Sequence, residues 1–286
     1  MKQLIRNYPI LFYILFAYAF SWSIEMIAIA GMHGNYKIEV LFPYLLLAQF
    51  GPTVAALAVV GLTEGKAGLA GLLRRVIIFR FPLKSYLVSI FTIPAVMCLI
   101  YLAMQIGVLP GLPSYLVYLT VMVAPLNGLV GSIVGGAGPI GEELGWRGFM
   151  LPRLLKNHND AVASLLLGIT WTFWHLPIFI FPEWRDGVSL PLFSLLYPVS
   201  VILFAYFMTK VWHMTRGSVF MAIWVHGIIN FVFSYMVNRK TWDLEGFTPL
   251  QVQLILLAGM VLCCLVVHLF AAFRRKKPEL VAEVQD

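Results

Sequence analysis

Charge is scarce in this chain: Asp, Glu, Lys and Arg make up only 12% of its 286 residues. Soluble domains carry roughly a quarter charged residues, so a water-facing globule, a disordered chain and a nucleic-acid-binding domain are all excluded. Cysteine is scarcer still. Cys98, Cys263 and Cys264 each lie within an apolar run, which excludes a disulfide scaffold and leaves no metal-type spacing. No HExxH zinc motif occurs, and no internal repeat of the kind many transporters carry is visible. What fills the sequence instead is 60% hydrophobic residues, with a mean hydropathy of +0.87. Such a chain is a polytopic membrane protein, all-α because helices satisfy their own backbone in lipid.

A helix needs about 20 apolar residues to cross the hydrocarbon core. Runs of that length fall near 9–30, 40–62, 86–106, 115–135, 161–181, 190–211, 218–237 and 250–273, which predicts a bundle of about eight spans. The first follows Lys2 and Arg6 but exceeds a signal-peptide core and has no small-x-small cleavage site, so a retained anchor is expected. With the N-terminus inside, 16 of the 20 Lys and Arg residues fall on the cytoplasmic side, leaving Lys37, Arg185, Arg239 and Lys240 outside. That asymmetry predicts both termini in the cytoplasm. The stretch 69–86 mixes basic and apolar residues and reads either as an amphipathic inner-leaflet segment or as a basic loop. One bundle is expected over 1–273, followed by a polar cytoplasmic tail over 274–286. Compact loops and the lack of a targeting signal favour a bacterial plasma membrane.

Ionisable groups inside a membrane are expensive unless they pair, hydrate or act. Three clusters qualify. In the first, a glycine-rich break around Pro139 leads into Gly141-Glu142-Glu143-Leu144-Gly145-Trp146-Arg147. Glu143 and Arg147 are four apart and share a helical face, which leaves Glu142 to point elsewhere. The second is Trp171-Thr172-Phe173-Trp174-His175, with His175 read as lying well within the fifth span. The third is His226-Gly227-Ile228-Ile229-Asn230, which puts His226 and Asn230 on one face. Each cluster alone also fits a bland role, a solvated cap or interhelical hydrogen bonding. Together they hold what hydrolysis needs: a carboxylate base, an imidazole and donors for an oxyanion.

In order and spacing, Glu142-Glu143-x-x-x-Arg147, aromatic-x-x-x-His175 and His226-x-x-x-Asn230 resemble the CAAX prenyl-endopeptidase and bacteriocin-processing family (CPBP, or Abi) of intramembrane proteases. The likeness spans about 129–233. Where the family commonly has Phe, this chain has Trp171, which keeps an aromatic wall. The resemblance implies a bundle of about eight helices with its site in a cavity open to the cytoplasm. It further implies peptide hydrolysis, with Glu142 activating water, His175 assisting, His226 and Asn230 stabilising the oxyanion, and Glu143 and Arg147 holding the site.

The reading leaves two schemes open. Glu142, His175 and His226 would make a two-histidine, one-carboxylate zinc site with a free position for water. A metal-free scheme uses Glu142 and His175 directly on water and gives Asn230 an oxyanion role, so the cofactor is either none or zinc. The expected partners are membrane lipid and a peptide or protein substrate, lipidated or membrane-embedded, with no nucleic acid. Two other functions compete: a non-catalytic membrane scaffold, and a proton- or ion-coupled transporter that uses the same groups as a relay.

The orientation is directly testable. Tag-accessibility labelling should find both termini and the 66–84 region in the cytoplasm, with Trp184 and Trp242 outside. Either terminus on the outer side overturns the orientation and moves the site to the other face.

Overall fold

Long apolar runs make helices here, and proline and glycine decide where those helices break. The computed structural model describes residues 2–33, 38–103, 114–135, 138–180, 185, 188–237 and 248–275. Among the described residues there is no strand. After a short α1 (Lys2–Asn7) come α2 (Pro9–His33), α3 (Ile38–Ala48), α4 (Gly51–Arg74), α5 (Leu83–Ala103) and α6 (Ser114–Val130). The chain continues through a π turn (Gly131–Gly135), α7 (Gly138–Glu143), a second π stretch (Leu144–Met150) and α8 (Leu151–Leu154). It then forms α9 (Asp160–Trp174), α10 (Leu190–Met214), α11 (Val219–Val237) and α12 (Pro249–Arg275).

Among the described residues, five helical stretches are long and apolar enough to cross a membrane: Pro9–Gly31, Gly51–Ile77, Leu83–Ile100, Leu190–Met214 and Pro249–Phe273. A sixth arises if Met122–Ile133 and Gly138–Leu154, bent by 67° at their break, count as one span. Asp160–Trp174 and Val219–Phe233 are shorter apolar helices. The polytopic helical bundle is therefore as expected, and the protein is an integral membrane protein.

Three boundaries differ from the sequence reading. The expected second span, 40–62, is divided at Gln49 and Phe50, and the long apolar helix begins at Gly51 with Pro52 in its first turn. Proline fits there because a first-turn N–H has no intrahelical partner. That helix runs on past Gly65, whose φ of 66° kinks it in the left-handed region open to glycine. It covers part of the 69–86 stretch, closes in a 3₁₀ turn at Arg75–Ile77 and gives way to extended chain before α5. The expected fourth span, 115–135, ends in the π turn at Gly131–Gly135, and Gly138–Leu154 follows at a 67° bend. The fifth stops as an α-helix at Trp174, because Pro177 cannot donate to the carbonyl four residues back.

Helices pair closely where side chains are small or where an aromatic donor reaches a freed carbonyl. The indole of Trp22 donates to the Trp174 carbonyl (2.9 Å) and the Tyr18 hydroxyl to that of Thr170 (2.5 Å), which fastens α2 to the C-terminal end of α9. At the other end of α9, Asp160 Oδ2 accepts from Lys210 Nζ at 2.7 Å, tying α9 to α10. Between α6 and α11 the approach is backbone to backbone. A Cβ on Gly227 would fall 2.0 Å from both the Gly128 carbonyl oxygen and Ser132 Oγ. Such contacts drive helix association in lipid, where apolar area alone gives little preference.

Gly227→Ala should push α11 off α6 and lower stability by about 1–3 kcal/mol, as overpacking does. Gly71→Ala is the control, since no atom lies within 4 Å of its added Cβ. Thermal melts in detergent should separate the two; equal melting temperatures would show that the close approach is not a constraint.

Candidate active site

Gly141 and Gly145 sit four residues apart, and both faces of contact are backbone. A Cβ on Gly141 would meet the Gln49 carbonyl oxygen at 2.7 Å, and one on Gly145 that of Pro52 at 2.5 Å. The pair lays this segment directly on the break between α3 and α4. With that side committed, Glu142, Glu143, Trp146 and Arg147 are all buried within the bundle. The π geometry over Leu144–Met150 is of a kind found often at functional sites.

The two adjacent acids meet different partners. Glu143 Oε1 accepts from Arg147 Nη1 and meets His226 Nδ1, each at 2.7 Å, so one oxygen joins the first motif to the third. The Arg147 guanidinium also lies over the Trp171 ring, 4.3 Å from its centroid, with Phe204 on a further side at 5.7 Å. A fully buried cation is tolerable with a carboxylate on one side and aromatic faces on the others. Glu142 instead presents Oε2 to two indoles, Trp171 Nε1 at 2.7 Å and Trp146 Nε1 at 3.2 Å. Two fixed donors on one oxygen set the carboxylate's orientation.

Trp171 is the hub. Its indole N–H holds Glu142, its ring carries Arg147, and its carbonyl accepts from His175 Nδ1 at 2.9 Å. Because a carbonyl only accepts, Nδ1 carries the hydrogen of that contact. His175 lies at the C-cap of α9 and not well within a span, packed edge-on against Trp174 and Tyr197. Glu142 stands at the level of Trp171, whose indole donates to its Oε2.

His226 packs edge-on against Trp171 at 5.2 Å and Phe204 at 5.6 Å. Asn230, one turn on, is exposed while His175 is half-buried and the other members are buried, so the cluster opens at its histidine and asparagine side. All seven residues singled out from the sequence, Glu142, Glu143, Arg147, Trp171, His175, His226 and Asn230, thus belong to one neighbourhood.

Three residues of that neighbourhood escaped the sequence reading. Tyr13 of α2 is fully buried, edge-on to Trp146 at 5.6 Å and stacked on Phe149 at 4.8 Å. Glu25, also on α2, is 5% exposed, with Oε2 lacking a hydrogen-bond partner among the described residues, and lies within electrostatic reach of Glu142. A lone acid inside the apolar run 9–31 was itself the signal for Glu25. Gln49 is the third; its place is set by the α3–α4 break, which no local pattern announced.

The three residues of the zinc alternative are not gathered into one donor set in this structure. Among the described residues, no group of three or more His, Cys, Asp or Glu is placed to hold a metal ion. His226 Nδ1 and Glu142 Oε2 are engaged by Glu143 and the two indoles respectively.

Glu143→Gln should leave the buried Arg147 without its counter-charge and release His226, lowering stability by about 3–5 kcal/mol along with any activity. Denaturation of the detergent-solubilised variant measures this; an unchanged midpoint would remove Glu143 from its holding role.

Comparison with known proteins bears on the same segment. The family model for type II CAAX prenyl endopeptidase Rce1-like proteins matches residues 125–232. CAAX prenyl protease 2 of Methanococcus maripaludis is 32% identical over 97 residues, 31% of this chain and 34% of the relative. The chain thus spans about a third of the length of the curated relative it matches. Over 125–232, the stretch that carries all seven clustered residues, the resemblance to the CPBP family of CAAX-type endopeptidases is shown.

Proposed function

We propose that this protein is an intramembrane endopeptidase that hydrolyses a peptide bond with water activated by Glu142. The observation that carries the reading is the asymmetric carboxylate. Oε2 is held by the Trp171 and Trp146 indoles, while Oε1 lies toward the region it shares with Asn230. A base fixed at one oxygen and available at the other is poised for proton abstraction. As water attacks, its oxygen bonds to the carbonyl carbon, its proton passes to Glu142, and the carbonyl electrons move onto oxygen. Asn230, with His226 beside it, donates to that oxyanion. His175, held by Nδ1 at the Trp171 carbonyl, assists by sharing the proton on its way to the leaving amine.

Glu143 and Arg147 position rather than react. They fix His226 and brace Trp171, so the reacting groups are preorganised in a site of low dielectric. No step of this scheme requires a metal. The substrate class we propose is a membrane-associated peptide ending in a prenylated CAAX tail, on the strength of the matched family and relative. Lipid is then both surroundings and delivery surface, and the open side of the cluster faces the cytoplasm under the charge asymmetry read from the loops. Compact loops favour a bacterial plasma membrane as the location.

Glu142→Gln preserves size and removes the base, so cleavage of a farnesylated CAAX-tailed peptide should be lost while the folded bundle is retained. Asn230→Ala should lower kcat about a hundredfold with KM little changed. Chelators should leave the wild-type rate intact. Wild-type rates from Glu142→Gln, or a wild-type protein inert toward such peptides, would overturn the reading and favour the scaffold.

A further inference from the structure

Gly138 opens the glutamate-bearing segment, and it faces polar groups from three separate parts of the chain. A Cβ on Gly138 would lie 3.0 Å from Gln49 Oε1, 3.4 Å from Glu142 Oε1 and 3.9 Å from Asn230 Nδ2. Gln49 is half-buried at the α3–α4 break, outside the segment matched by the family model. Its backbone is held there by two contacts. Ser21 Oγ donates to the neighbouring Ala48 carbonyl at 2.7 Å, and Gly141 lies against the Gln49 carbonyl. A carboxylate oxygen, a carboxamide and a second carboxamide therefore surround the space beyond the bare Gly138 Cα. Water needs two to four polar partners to be held in a protein interior, and this space has three.

We propose that the space beside Gly138 seats the nucleophilic water and that Gln49 is the positioning residue that orients it. This rests on Glu142 being the base. The two hydrogens of the water go to Glu142 Oε1 and Gln49 Oε1, which leaves an oxygen lone pair directed away from both. That lone pair forms the new bond to the scissile carbon; the π pair of the carbonyl goes to oxygen, toward Asn230 Nδ2–H. The hydrogen held by Glu142 is the one transferred, and the hydrogen held by Gln49 stays on the product carboxyl. Gln49 is suited to this because a neutral acceptor fixes the water without competing for its proton. Gly138 is required because any side chain would occupy the seat.

The test uses the full chain in detergent, a farnesylated CAAX-tailed fluorogenic peptide, and the variants Gln49→Leu, Gln49→Glu, Gly138→Ala and Glu142→Gln. Gln49→Leu should lower kcat by about tenfold or more, with KM within about twofold and the melting temperature unchanged. Gln49→Glu, which keeps an acceptor oxygen, should recover part of that loss. Gly138→Ala should lose at least as much as Gln49→Leu. Full kcat in Gln49→Leu and Gly138→Ala, with Glu142→Gln inactive, overturns the water seat and leaves the endopeptidase intact. An active Glu142→Gln brings down the base and the seat together. Loss of kcat and melting temperature in parallel, with Gln49→Glu no better than Gln49→Leu, overturns the positioning role. One readout needs no substrate: an experimental structure at water-resolving quality should show an ordered water touching Glu142 and Gln49, absent from Gly138→Ala. A dry site in the wild type overturns the proposal.

Discussion

One carboxylate oxygen, Oε1 of Glu143, takes both Arg147 and His226 at 2.7 Å. The site depends on that shared contact. It joins the bent segment to α11, and through the guanidinium it also braces Trp171 of α9. Three helical elements are thereby registered by one buried charge. In lipid, apolar surface cannot specify register, because every apolar face is equally content against acyl chains. A buried carboxylate with two named partners can, since sliding any helix by one residue would strand a charge at a cost of several kcal/mol. Under the proposed function the polar cluster is both machinery and registry pin.

The second constraint is the close backbone approach at Gly141 and Gly145. A straight helix through 115–150 would carry Glu142 away from the level of Trp171. The bend, and the seat that the α3–α4 break gives to these glycines, bring the carboxylate to the indoles of Trp146 and Trp171. Irregular backbone at membrane depth survives only where protein or water satisfies it. Here the aromatic N–H groups and the breaks themselves supply partners, as when Trp22 caps the carbonyl that α9 leaves free at Trp174.

Much of this was legible because its determinants are local. Four-residue spacing gave the Glu143–Arg147 pair and placed His226 and Asn230 on one face. Apolar runs gave the helices, and three motifs in order gave the family resemblance. What stayed hidden is set by contacts distant in sequence. The division of the 40–62 run at Gln49 follows from backbone packed beneath Gly141 and Gly145, some ninety residues on. The C-cap position of His175 was available from Pro177 but was masked by the length of the apolar run. Glu25 could have been read directly. It is the one acid in the stretch 9–31, and the rule that flags intramembrane charges applies to it as fully as to Glu142.

The two glutamates show why a motif of adjacent acids needs a fold before it acquires a mechanism. Side by side in sequence, they point about 100° apart on a helix and cannot share an environment. Burial alone would treat them alike, since each is almost fully enclosed. Their partners separate them. Glu143 faces Arg147 and His226, which suits a holding role; Glu142 takes neutral indole donors on one oxygen only, which in the proposed mechanism leaves the other for chemistry. A carboxylate paired with a guanidinium is a poor base, because protonating it breaks the ion pair. One held by neutral donors keeps its orientation through proton transfer without losing a counter-charge. The proposed division of labour between Glu142 and Glu143 therefore follows from which helix each one meets.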